Sequence, residues 1–120
     1  MTHPLVVTDS TFATVVEEHA GLVVVDFWAS WCGPCLAFAP VLDRLTEEYA
    51  GRAVVAKLDV DANPETANRF NVRSIPSLLF FRDGTLVDRT VGALPGLVIA
   101  MKIEQHLTDA GDAVEHAARA

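Results

Sequence analysis

Two cysteines, two tryptophans, one tyrosine and nine basic side chains are all that this 120-residue chain holds of those types. A pair of cysteines excludes a scaffold stapled by several disulfides. Structural zinc is disfavoured as well: such a site takes four Cys or His ligands, and His3, His19, His106 and His116 are widely scattered. Nine Lys and Arg stand against sixteen Asp and Glu, a formal net charge of -7. With no basic cluster to neutralise phosphates, neither a nucleic acid nor an anionic membrane surface is an expected partner, and the acidic balance reads as solubility. No apolar run approaches the roughly 18 residues of a membrane span. The stretch Met1 to Val7 lacks a basic n-region and is interrupted by Thr8 and Asp9, so it does not read as a secretory signal. The expected location is the cytoplasm, where a disulfide that cycles makes more sense than a structural one. Gly-rich phosphate loops, Gly-x-Ser-x-Gly elbows and internal repeats are missing too.

About half of the residues are hydrophobic, 51%, enough for one globular domain with a single core. Both cysteines fall in Trp28-Ala29-Ser30-Trp31-Cys32-Gly33-Pro34-Cys35. The run Gly21 to Phe27 is apolar and Val-rich, as a buried strand is, and from Pro34 onward apolar residues recur at helical spacing. Cys32 is therefore expected at or next to a helix start, with Cys35 one turn inside. The first turn of a helix presents unpaired N–H groups and the positive end of its dipole, which favours a thiolate at Cys32 over its thiol. Cys35 lies on the same face, close enough for disulfide geometry. Gly33 lets a partner chain approach, and Pro34 gives up only an N–H that a first turn leaves unpaired.

Thiolate stabilisation alone does little for rate. Moving a thiol from about 8.5 to about 7 raises its thiolate fraction at neutral pH about sixteenfold. With a Brønsted slope of about 0.5, nucleophilicity drops about sixfold, leaving a gain of about threefold. The rest must come from positioning, including a second thiol held beside the mixed disulfide. A lone Cys-x-x-Cys is open to three readings, a redox pair, half a zinc site or two plain buried thiols; its place beside a βαβ pattern points to redox chemistry.

Taken in order, the chain predicts a strand at Leu5 to Thr8 and a helix capped by Asp9, with Phe12, Val15, Val16 and His19 on one face and Gly21 ending it. Leu22 to Trp28 is a central strand, apolar except at Asp26, which sits either at a wet edge or buried with a raised pKa. The helix from Pro34 to about Tyr49 carries Phe38, Val41, Leu42, Leu45 and Tyr49 on one face, with Pro40 kinking it near Leu36. Ala53 to Val60 is a strand whose odd member, Lys57, is by default a lysine snorkelling to the sheet edge. Asp59 to Asn63 fails as a calcium loop, because Pro64 stands where Gly is needed and Phe70 where Glu is needed; it reads as a turn before a short helix, Pro64 to Phe70. Strands at Leu78 to Arg82 and Leu86 to Val91 are joined by the hairpin signal Asp83-Gly84. A last helix runs from near Pro95 to about Leu107. The expected fold class is α/β, a five-stranded mixed sheet flanked by four helices.

Trp31-Cys32-Gly33-Pro34-Cys35, followed through Asp26, Pro40, Lys57, Ile75-Pro76 and Gly84, resembles the thioredoxin family over residues 5–108. The resemblance implies a thioredoxin fold for residues 1–108, with 109–120 as a C-terminal extension. It implies a protein-disulfide oxidoreductase in which Cys32 attacks a substrate disulfide and Cys35 resolves it. Asp26 would exchange protons with Cys35, and Lys57 would tune Asp26. The Ile75-Pro76 bond would be cis, offering the Ile75 backbone to a bound chain, with Trp31, Gly33, Pro34, Ile75, Pro76 and Gly92 facing the partner. It further implies no bound cofactor or metal, electrons from NADPH through a flavoprotein reductase, protein disulfides as substrates, and a monomer. Three departures bear on partner choice: Leu36 where Lys or Arg is usual, Ser74 for Gly, and Ser77 for Thr. The rival readings are a disulfide oxidase or isomerase, against which Gly33-Pro34 supplies no thiolate-stabilising charge, and a binding subunit that uses the same surface without redox turnover.

Overall fold

The structure is a computed structural model that describes the backbone of residues 2–119 and side-chain surroundings for residues 2–108. At its centre is β2 (Leu22–Trp28), a β-branched run buried along nearly its whole length. It pairs in parallel with β3 (Ala53–Asp59) and antiparallel with β4 (Ser77–Arg82). On the β3 side the sheet ends in β1 (Leu5–Val6); on the β4 side it ends in β5 (Thr85–Val91), giving the order β1-β3-β2-β4-β5. Because side chains alternate across a strand, β2 feeds two cores. Val23, Val25 and Phe27 join Phe12, Val16, Leu79 and Phe81 on one face. Leu22 and Val24 join Phe38, Leu42, Tyr49, Leu78, Phe80, Ile99 and Ile103 on the other. Asp26 shares the parity of Leu22 and Val24, so it faces the second layer, where α1 (Gly33–Glu48) and α3 (Gly96–Arg119) pack. The mixed five-stranded sheet with helices on both faces is the expected thioredoxin fold.

Several local expectations are corrected. The segment after β1 forms only a one-turn π-helix, Ala13–Glu17, and not a helix reaching Gly21. Its start is not capped by Asp9. The Asp9 carboxylate instead accepts from the backbone N–H groups of Glu65 (3.2 Å) and Thr66 (2.9 Å) and from the Thr66 hydroxyl (2.6 Å). It thus caps α2 (Pro64–Arg69), whose own preceding residue, Asn63, makes no side-chain cap. A polar residue ahead of an apolar stripe is a local signal, and here the donors it satisfies lie more than fifty positions away. β1 is shorter than expected, and both its side chains are exposed. By contrast, α1 is a single helix with Pro40 inside it, as expected. The last helix is continuous through Arg119 and does not stop near Leu107. At the β4–β5 hairpin Asp83 and Gly84 both take positive φ, 52° and 83°, as the Asp-Gly signal requires.

Candidate active site

The end of β2 delivers the chain directly into α1, and Cys32 is the residue before that helix, with extended backbone at φ -86° and ψ 105°. Its Sγ accepts the Cys35 N–H at 3.2 Å, one of the donors a helix start leaves free. Cys32 and Cys35 form a disulfide with their Cα atoms 5.2 Å apart. Each is only 3% exposed, packed with Ala29 beneath Trp28, Val60 and Ile75. Around them Gly33 and Pro34 are exposed, and Trp31 is 69% exposed. A Cβ added at Gly33 or at Gly92 would meet nothing within 4 Å, so the space outside both is open.

Ile75-Pro76 is a cis peptide, and the Ile75 carbonyl oxygen lies 3.9 Å from Cys32 Sγ. The Pro76 carbonyl accepts from the Gly92 N–H at 2.8 Å, which ties the loop before β4 to the end of β5. Trp31, Cys32, Ile75, Pro76 and Gly92 thus converge from three separate parts of the chain.

Behind the disulfide lies Asp26, 3% exposed, whose Oδ1 has no hydrogen-bond partner in the protein. Burial disfavours its charged form and pushes its pKa up to about 7, against which the Lys57 cation pulls it down. Asp26 and Lys57 occupy paired register positions on β2 and β3. Among the described residues they form no direct ion pair; the Lys57 Nζ instead sits 5.1 Å from the centre of the Trp28 ring. Both line a cavity of about 180 Å³ that also reaches Cys35, Leu36, Asp43 and Pro4. The cavity thus places the buried carboxyl and Cys35 on one shared space.

Two features were not legible beforehand. The Trp31 indole N–H donates to Asp61 at 2.7 Å, fixing an exposed ring beside the disulfide. Asp61 had only the signature of a solvated turn, and its N–H is itself held by Asp59 at 2.9 Å. Nor did Pro4 carry any sign that it would line the Asp26 cavity. Among the described residues no cluster of three metal-ligating side chains occurs, and no helix is long and apolar enough to cross a membrane.

A family model described as Thioredoxin matches residues 3–105. The thioredoxin of Chlorobaculum thiosulfatiphilum is 48% identical over 100 residues, covering 83% of this chain and 93% of that protein. The thioredoxin of Staphylococcus saprophyticus is 52% identical over 101 residues, 84% of this chain and 95% of its own, and thioredoxin 1 of Nostoc sp. is 46% identical over 101 residues, with shares of 84% and 94%. A strand-to-helix dithiol, a cis proline loop against its sulfur and a buried carboxyl behind it sit within that matched span: the chain belongs to the thioredoxin family.

Proposed function

We propose that this protein reduces disulfides in other proteins, cycling between a Cys32–Cys35 disulfide and the corresponding dithiol. The observation that carries this is the pair of cysteines at the start of α1 with the Ile75 backbone beside Cys32 Sγ. In the dithiol state the Cys32 thiolate attacks one sulfur of a substrate disulfide. A mixed disulfide forms and the other substrate sulfur leaves as a thiolate. The Cys35 thiol then loses its proton toward Asp26 and attacks the Cys32 sulfur. This closes Cys32–Cys35 and releases the second substrate thiolate, so two electrons have passed to the substrate. Lys57 holds the Asp26 carboxyl back from an even higher pKa. Trp31, Gly33, Pro34, Ile75, Pro76 and Gly92 form the docking surface, on which Ile75 offers its backbone to an extended substrate segment.

The working unit in this reading is residues 1–108, with 109–120 an appended extension. The protein acts as a cytoplasmic monomer, an electron carrier in redox homeostasis that needs no bound cofactor and is recharged from NADPH by a flavoprotein reductase. Leu36, 53% exposed beside the site, makes that surface more apolar than a Lys or Arg would. The test is a Cys35→Ser variant, which should accumulate mixed disulfides with protein substrates that dithiothreitol releases. A Cys32→Ser variant should accumulate none. Equal capture by both variants, or capture by neither, overturns the two-thiol scheme.

A further inference from the structure

The cavity above Asp26 is built from three parts of the chain. Its floor is the register pair Asp26 and Lys57, and one wall is α1, through Cys35, Leu36 and Asp43. A further side is lined by Pro4, a buried residue immediately before β1. β1 is a weak anchor for that proline: it has two residues, both with exposed side chains, paired along one edge to Ala56 and Lys57. What ties the segment across to α1 is His3, whose Nδ1 stands 3.0 Å from Asp43 Oδ1. The contact therefore ties the residue next to Pro4 to Asp43 on the helix that carries Cys35, and Pro4 and Asp43 both line the cavity.

We propose that the His3–Asp43 contact latches Pro4 as a roof over the Asp26 cavity, making His3, Pro4 and Asp43 positioning residues that keep the Asp26 carboxyl out of bulk water. Its value to the chemistry rests on the reading of Asp26 as the proton acceptor for Cys35; the roof itself does not. The charged and titratable groups around Asp26 are few. Lys57 faces it from β3, Cys35 and Asp43 from α1, and His3 stands behind Asp43 at 3.0 Å, while its register partner on β4 is the apolar Leu78. With Pro4 in place Asp26 is 3% exposed and its Oδ1 has no protein partner, the condition that favours a carboxyl's neutral form. The latch pair is itself exposed, 57% at His3 and 38% at Asp43. Pairs of that kind are weak and salt-sensitive, so the roof opens readily and lets protons and water exchange with the carboxyl.

The test is a pH titration of the Asp26 side-chain carboxyl carbon by NMR in the full oxidised chain, which needs no substrate and no turnover. Pro4→Gly should lower the Asp26 midpoint by about one unit, a roughly tenfold stronger acid, because water then solvates the carboxylate, and His3→Ala should lower it by up to about 0.7 unit, the most that an exposed pair of about 1 kcal/mol can contribute. His3→Gln, whose amide can still donate to Asp43, should keep the midpoint near that of the unsubstituted chain. If His3 acted only through its charge, its loss would raise the midpoint instead. A raised or unchanged midpoint in both His3→Ala and Pro4→Gly overturns the roof. Disulfide reduction by the unsubstituted chain is measured separately, so a failure of the redox reading leaves this result intact and distinguishable.

Discussion

Replacing Asp26 by Asn keeps the side chain's shape and removes its proton equilibrium, which makes the cost of burying that carboxyl measurable. Folding moves the Asp26 pKa from an ordinary 3.8 up to about 7. Below 3.8 the group is neutral in both folded and unfolded chains and contributes nothing to the pH dependence. Between the two values the unfolded chain ionises while the folded one keeps its proton, so stability falls as pH rises. Above about 7 both are ionised and the penalty stays constant. A difference of about 3 units at about 1.36 kcal/mol per unit makes that penalty about 4 kcal/mol. The assay is urea unfolding of the oxidised protein from pH 3.5 to 9, beside Asp26→Asn under the same conditions. The unsubstituted chain should lose about 4 kcal/mol more than the variant across that range, which at a slope of about 1–3 kcal/mol per molar is a midpoint difference of roughly 1.3–4 M urea. The steepest loss should lie between pH 4 and 7. Parallel pH profiles for the two proteins would mean that the carboxyl is solvated in the fold, and the account of its raised pKa would be wrong.

Further outcomes follow from contacts elsewhere. Lys57→Met should raise the Asp26 midpoint further, since the Lys57 cation is what opposes desolvation there; a fall on NMR titration would refute that balance. Gly84→Ala places a Cβ against the Glu17 carbonyl at a positive φ of 83°, whereas Gly51→Ala, at φ 84°, meets open space. Both should pay conformational strain of about 1–2 kcal/mol, and only Gly84→Ala should pay about 1–3 kcal/mol more for overlap. Equal urea midpoints for the pair would show that the hairpin shifts away without cost. Asp9→Ala removes the acceptor for the first turn of α2 and should cost about 0.5–2 kcal/mol. Bonds from Thr66 and Glu65 outweigh burial and depress the Asp9 pKa, so its contribution is present at neutral pH and is lost as pH falls through that depressed value. An acid unfolding profile identical to that of the unsubstituted chain would contradict it.

The sequence by itself determined the elements whose signals are local. A Val-rich run cannot avoid being a buried strand, a Cys-Gly-Pro-Cys stretch after it starts a helix, and Asp83-Gly84 closes a hairpin. The redox pair was legible for the same reason, because both sulfurs lie within one helical turn. The pairing of Asp26 with Lys57, the cis Ile75-Pro76 bond and the partner surface came from likeness to a family, since nothing within a few residues of each specifies them. Tertiary structure alone decided that Asp9 caps α2, that Asp61 holds Trp31, that His3 meets Asp43 and that Pro4 lines the Asp26 cavity. Each of those joins side chains thirty or more positions apart, or brings the segment ahead of β1 against a helix. A polar residue's sequence neighbours state what it can donate or accept, and only the packed sheet and helices determine which group it meets.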